Sequence, residues 1–235
     1  MAQANEGKEL SISVDGVQYE RIPLKTHVVM PDDKLMDVVQ QYAASELRDG
    51  DIFFITEKIV AITQGRSYAL DEIHPRKLAT FLSRYVTKTA YGIGLGMPET
   101  MEMALREVGA PRVLLASAVA AVTKAFGRRG DFYRIVGDKA RSIDGPTNGT
   151  IPPYDNRVVL GPTDPHGVAR DVQRALGLDV VVMIADINDI GGNILGSNST
   201  KEHELTVARI LGDNPLGQGT QSTPMGIIRQ VSEGA

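Results

Sequence analysis

The sequence predicts an α+β protein, with mixed sheets under helical cover, on three observations. Residues 52–55 and 180–185 are short, uninterrupted apolar runs, the pattern of strands buried on both faces. Apolar residues recur at helical spacing over 35–42, 98–105 and 168–176, interspersed with those runs. Capping and turn residues separate the segments, and strands alternating with helices make a mixed α/β class.

In chain order, residues 1–20 are polar and read as a tail, and residues 22–29 as an irregular lead-in. Pro31-Asp32-Asp33 starts a helix with Leu35, Val38, Val39 and Tyr42 on one face, and Asp49-Gly50 turns the chain into strand 52–55. Residues 57–62 fit strand or helix; Thr56 as an N-cap and Gly65 as a C′ residue favour helix. His74-Pro75 precedes a helix carrying Leu78, Phe81, Leu82 and Tyr85. Pro98-Glu99 begins another, with Met101, Ala104 and Leu105, which Gly109-Ala110-Pro111 stops. Residues 113–125 are apolar with a period that suits helix and strand alike. Residues 132–136 read as a strand after the Arg128-Arg129-Gly130 turn, and 145–153 as a loop. Thr163 or Asp164 caps a helix that opens on Pro165, buries Val168, Val172, Ala175 and Leu176, and closes at Gly177. Strand 180–185 then runs into Asp186, where a polar loop begins. Residues 212–224 form a loop and 225–228 a short strand. The expected organisation is a tail over 1–20, one catalytic unit over 21–230 divisible into two subdomains, and a tail over 231–235.

Composition narrows the function. The 235 residues are 42% hydrophobic and 23% charged, ordinary for a soluble chain with a sizeable core. A net charge of −4 provides no basic field for nucleic acid. A protein of this charge that handles phosphates needs a local cation, from metal ions or a few placed Lys and Arg. Cysteine is absent, which excludes disulfides and thiol catalysis. The polar N-terminus lacks a signal-peptide core and no apolar run reaches bilayer-spanning length, so the cytoplasm is the expected compartment.

The chemistry-bearing residues are few. Asp186 follows a buried strand, and ligands gather at the carboxyl ends of strands in sheets with helical cover. Asp144 precedes the Gly145-Pro146-Thr147-Asn148-Gly149 loop. Either residue alone also fits an ordinary turn. Together they suit magnesium or manganese, which take one or two carboxylates plus water and phosphate oxygens. Gln218 could add an amide oxygen, and its flanking Gly217 and Gly219 would let backbone approach a phosphate; a polar loop without ligand fits the same residues. Thr56 as a helix start would face an anion, or act as a plain cap. Gly92-Ile93-Gly94-Leu95-Gly96 lacks the strand and the lysine of a phosphate loop. His27, His74, His166 and His203 show no metal spacing, and no serine sits in a nucleophile elbow.

In order and spacing these residues resemble the coenzyme F-420 gamma-glutamyl ligase family of deazaflavin coenzyme biosynthesis, from about Ile22 to about Gln230. Ile22-Pro23-Leu24-Lys25 is similar to its N-terminal nucleotide-binding segment. Asp49-Gly50-Asp51, through Thr56-Glu57-Lys58, to Gln64-Gly65-Arg66 is similar to its strand-and-turn signature. Ile143-Asp144 with Asn148 resembles its first metal aspartate and nucleotide asparagine. Thr163-Asp164-Pro165-His166-Gly167 resembles its helix start, Ala185-Asp186-Ile187-Asn188 its second metal aspartate, and Gly217-Gln218-Gly219 to Pro224 its C-terminal nucleotide loop.

The resemblance implies a mixed α/β fold and an intertwined homodimer, with no membrane or nucleic-acid partner. It implies a GTP- or ATP-dependent acid–amino-acid ligase using magnesium or manganese. The metal would be held by Asp144, Asp186 and Gln218. The nucleotide would lie against Pro23, Leu24, Lys25, Thr56, Glu57, Asn148, Gly217, Gly219 and Thr220. A small carboxylate acceptor would be activated as an acyl phosphate and attacked by the amine of an amino acid, L-glutamate in the family. No protein nucleophile is required. The sequence departs from the family at Ile62, where many members carry lysine. It departs again at Ile187, where they carry a hydroxyl residue, and in the longer Asn148 loop. A folate-type acceptor, a different amino acid, and nucleotide binding without catalysis are the alternative readings.

Overall fold

The computed structural model describes residues 3–86, 94–128, 130–147, 150–189, 191–217 and 220–231. The chain divides into two compact units. The first comprises residues 1–65 and 162–235, the second Arg66–Gly161.

The first unit is built on a six-stranded mixed sheet. Its strands are β1 (Ser11–Val14), β2 (Val17–Leu24), β3 (Ile52–Thr56), β6 (Val181–Asn188), β7 (Gly191–Ser197) and β8 (Met225–Gln230), in the order β1-β2-β8-β3-β6-β7. β3 and β6 pair in parallel, and the other neighbours in this order pair antiparallel. Among the described residues its helices are α1 (Leu35–Tyr42), α2 (Glu57–Thr63), α8 (Pro165–Leu176) and α9 (Lys201–Ile210).

The continuous apolar runs are central strands, because both faces of the sheet are covered. Ile52 and Phe54 of β3 and Met183 and Ala185 of β6 pack with Val207, Ile210 and Leu211 from α9 and the turn after it. Phe53, Ile55, Val182 and Ile184 alternate to the opposite face and are equally buried. Gly226 of β8 lies where a Cβ would meet the Phe54 ring at 2.6 Å and the Ile22 carbonyl at 2.8 Å, so this central strand requires glycine there. Asp164 caps α8 by accepting from the Gly167 amide, with Pro165 in the first turn. Gln64 and Thr163, where the chain leaves and re-enters this unit, bond to each other: Gln64 Nε2 donates to the Thr163 carbonyl at 2.9 Å, and the Thr163 amide donates back to Oε1 at 2.7 Å.

Several expectations are corrected here. Residues 11–24, read as polar tail and irregular lead-in, form the β1–β2 hairpin, whose Asp15-Gly16 turn has both residues at positive φ. The short strand expected at 225–228 runs to Gln230 and lies between β2 and β3. The buried stripe of α8 is Ala169 and Val172, and Ala175 is exposed.

The second unit pairs β4 (Ser67–Ala69) with β5 (Arg157–Val159) in antiparallel fashion, and the rest of its regular structure among the described residues is helical. Its helices are α3 (Lys77–Ser83), α4 (Pro98–Val108), α5 (Ala110–Ala125), α6 (Asp131–Val136) and α7 (Asp138–Arg141). Its core gathers Leu95, Met101, Ala104, Leu105, Val113, Ala116, Val136, Val158 and Leu160. Residues 132–136, expected as a strand, are helix α6: Phe132, Tyr133 and Ile135 pack on that core from one turn of helix, which overrides their β preference. On α3 the buried residues are Ala79, Leu82 and Ser83, while Phe81 and Tyr85 are exposed and lie against each other. Glu102, buried in α4, accepts from Arg76 and Arg106; burial pushes its carboxyl up, but the Arg76 guanidinium and amide and the Arg106 guanidinium together hold it below the usual range. Among the described residues no single helix is long and apolar enough to cross a membrane.

Candidate functional site

Strand direction brings most of the predicted nucleotide segments to one rim of the first unit. β2, β3 and β6 run the same way, because β8 is antiparallel to both β2 and β3 while β6 is parallel to β3. The register aligns their carboxyl ends: Leu24 opposite Met225, Met225 opposite Ile55, and Thr56 opposite Ala185. Beyond that line lie Lys25, the start of α2, Asp186 and the segment leading into β8. The rim is tied by two backbone bonds at 2.9 Å, from the Thr26 amide to the Ser222 carbonyl and from the Thr56 amide to the Pro224 carbonyl. This is the end of an α/β sheet at which ligands characteristically bind.

Within the rim the residues differ in what they can offer. The Leu24 side chain is core, so only its backbone faces the rim, whereas Lys25 is exposed. Thr56 occupies the N-cap position of α2, but its hydroxyl makes no capping bond to that helix. Glu57 opens the helix and is half-buried. Thr220 is exposed, and Gly217 has φ +72°, a left-handed conformation open to glycine at no steric cost.

Asp186 is not at a strand end, as its place before a polar sequence suggested. β6 continues to Asn188 and turns back into β7, so Asp186 is an extended residue opposite Asn193. It projects one residue past the last partner in β3, on the sheet face that carries Val182 and Ile184. Ile187 follows on the α9 side, and Ile62 of α2 is fully buried, so that departure from the family falls on a packing position.

Asp144 belongs to the second unit. It follows the end of α7 and the buried Ile143 rather than a strand, and forms an isolated bridge with Val159, amide to carbonyl at 2.8 Å and 2.9 Å. Asn148, Gln218 and Gly219 lie outside the described residues, as do Gly92 and Ile93. Among the described residues no three His, Asp or Glu side chains gather into a cage for a metal. A magnesium-type ion does not require one, since one or two carboxylates complete their shell with phosphate oxygens and water. Taken each in its own unit, the carboxylates of Asp144 and Asp186 are hard oxygen donors of the type such an ion takes, and suit a soft one poorly.

Other groups at the rim were not anticipated. Just past β2, His27 bridges Asp33 and Tyr42, at 2.9 Å from each. The Met30 amide and His27 keep the Asp33 carboxyl below its ordinary range. At the β6–β7 turn, Lys8 and Asn214 bond to Asp189 and lower its carboxyl in the same way. Two cavities of the first unit, about 210 Å³ beside Tyr19, His203 and Gln230 and about 660 Å³ beside Leu205 and Arg209, include none of the predicted site residues.

No curated protein sequence matches the chain. The family model for F420-0:gamma-glutamyl ligase matches residues 23–195. That span holds the rim segments from Pro23 to Glu57, together with Asp144 and Asp186, and stops before the 212–224 loop. It covers well over half of the chain, which therefore belongs to the F420-0:gamma-glutamyl ligase family.

Proposed function

We propose that this protein is a gamma-glutamyl ligase that uses a nucleoside triphosphate, GTP or ATP, and magnesium or manganese to join L-glutamate to a small carboxylate of the F420-0 type. Membership of a ligase family carries this reading. The gathering of Pro23, Lys25, Thr56, Glu57 and Asp186 at the carboxyl rim of the sheet supports it.

In this reading the backbone of 23–25, the start of α2, Asn148 and the 217–220 segment hold the triphosphate. Asp144, Asp186 and Gln218 each offer an oxygen to a divalent cation. Such a cation supplies charge neutralisation at the phosphates. The acceptor carboxylate attacks the γ-phosphorus and the nucleoside diphosphate leaves, giving an acyl phosphate. The amine of glutamate attacks the acyl carbon, and inorganic phosphate and a proton are released. The chain's task is to orient the reactants and exclude water, since an acyl phosphate that meets water before the amine is lost.

Incubation with triphosphate, metal, candidate acceptors and several amino acids, followed by mass spectrometry, tests the assignment. The expected product is an acceptor heavier by one glutamyl residue, formed only with metal present. Triphosphate binding without amide formation on any acceptor contradicts it and marks a non-catalytic nucleotide-binding protein.

We also propose a homodimer. Helix α5 buries only Val113 and Ala116, leaving Leu115 and Val122 each 59% exposed and Phe126 beyond it 81% exposed. So long an apolar face is an aggregation hazard unless a second copy covers it. Light scattering at micromolar concentration should give the dimer mass, and Leu115→Glu should shift it toward monomer. A stable monomer in the unaltered protein contradicts the proposal.

A further inference from the structure

The family match begins at residue 23, so the N-terminal segment and nearly all of the β1–β2 hairpin lie outside the matched span. They are bound to the rim rather than hanging from it. Asn5 Nδ2 donates to the Leu216 carbonyl at 2.7 Å and to Thr223 Oγ1 at 2.8 Å. Lys8 Nζ donates to the Asp213 carbonyl at 2.9 Å and to Asp189 Oδ1 at 3.0 Å. Behind them, Arg21 fastens the segment to the sheet: its amide donates to the Leu10 carbonyl at 2.7 Å and its guanidinium to the Glu9 carbonyl at 2.8 Å. Asn214, buried and at φ +54°, completes the set by donating to Asp189 at 3.1 Å.

These bonds fall on both ends of the loop between α9 and β8. One end, 213–216, is held by Lys8 and Asn5. The other, Thr223, is held by Asn5 next to Pro224, whose carbonyl receives the Thr56 amide. The Ser222 carbonyl beside that second end is held too, by the Thr26 amide. In sequence, Gly217, Gln218, Gly219 and Thr220 lie between the two fastened ends. Backbone already held in place before a ligand arrives has less conformational freedom left to lose on binding, and the saving appears as affinity.

We infer that residues 5–10 are a strap that orders residues 213–217 and 220–223 together with Asp189 after β6, and that Asn5 and Lys8 are positioning residues for the triphosphate. The inference rests on the nucleotide reading given above. Neither residue touches the reacting atoms; both act through loop backbone.

The test compares Asn5→Ala, Lys8→Ala and their combination with Asp15→Asn, which weakens the Asp15–Arg209 ion pair at the other end of the hairpin and leaves the loop fastenings untouched. Hydrogen exchange at 213–217 and 220–223 reads the strap directly, without nucleotide. Triphosphate titration with metal reads its consequence. Faster loop exchange and a roughly tenfold weaker Kd in the double variant, with kcat at saturation unchanged, is the expected result, since the two neutral hydrogen bonds of Asn5 and the two charged ones of Lys8 are lost and only part of their worth reaches the ligand. Lys8→Arg should restore most of the loss, and Asp15→Asn should show neither effect. Unchanged loop exchange overturns the strap. Faster exchange with unchanged affinity overturns its positioning role, as does an equal loss of affinity in Asp15→Asn. Absence of triphosphate binding in the unaltered protein refutes the nucleotide reading and the affinity role with it, while the exchange data still decide whether the strap orders the loop.

Discussion

Replacing Asp186 with alanine should lower metal-dependent triphosphate affinity and ligase activity by about a hundredfold or more, and leave the fold intact. Loss of groups that merely support a metal ligand costs 10- to 100-fold, so losing one of two carboxylate ligands is expected to cost at least the upper figure. The fold should survive because β6 is held at this point by backbone pairing with β7 and, just before it, by the buried run Val182 to Ala185. Asp144→Ala should behave alike, its backbone bridge to Val159 being independent of the side chain. Calorimetric titration with magnesium or manganese reads the affinity, and circular dichroism the fold. Undiminished affinity in Asp186→Ala sinks the metal assignment.

Arg21→Ala should destabilise the first unit about as much as a large-to-small change in its core, by about 3 kcal/mol. Its side chain is 1% exposed, and it donates to the carbonyls of Glu9 and Ile210 and to Asp213. Truncation leaves a cavity the size of a long side chain between the hairpin and the end of α9, with two carbonyls deprived of a charged donor. Asp213→Asn should cost under about 1 kcal/mol, because that carboxylate is half exposed and water replaces the guanidinium. Urea unfolding of both variants measures the difference. Equal losses would mean that the ion pair, and not the buried carbonyl contacts, supports this corner.

What could be anticipated from the sequence follows from the range of the forces involved. The runs 52–55 and 180–185 are apolar at every position because both sheet faces are covered, and this pattern is local. The Asp164-Pro165 start of α8 is legible for the same reason. The β1–β2 hairpin carried a signal that was outweighed by the polar composition around it: Asp15-Gly16 lies between alternating residues, Ile12 and Val14 before it, Val17 and Tyr19 after. The Phe132 to Val136 segment has strand-forming residues, and only its packing in the second core makes it a helix. The rim itself was partly visible, since Thr56 and Asp186 each follow a continuous apolar run in the sequence, although both lie within the strands. Asn5 and Lys8 were not, because their partners Leu216 and Asp189 stand 211 and 181 positions away. Nothing in a polar stretch tells which distant carbonyl it will meet.

The most direct test of the proposed chemistry is the fate of oxygen in the acceptor carboxylate. With the acceptor labelled with oxygen-18 in that group, and with triphosphate, metal and glutamate present, transfer through an acyl phosphate places one labelled oxygen in inorganic phosphate for each amide formed. The nucleotide is recovered as the diphosphate. Unlabelled phosphate, or pyrophosphate and nucleoside monophosphate as the stoichiometric products, would contradict it.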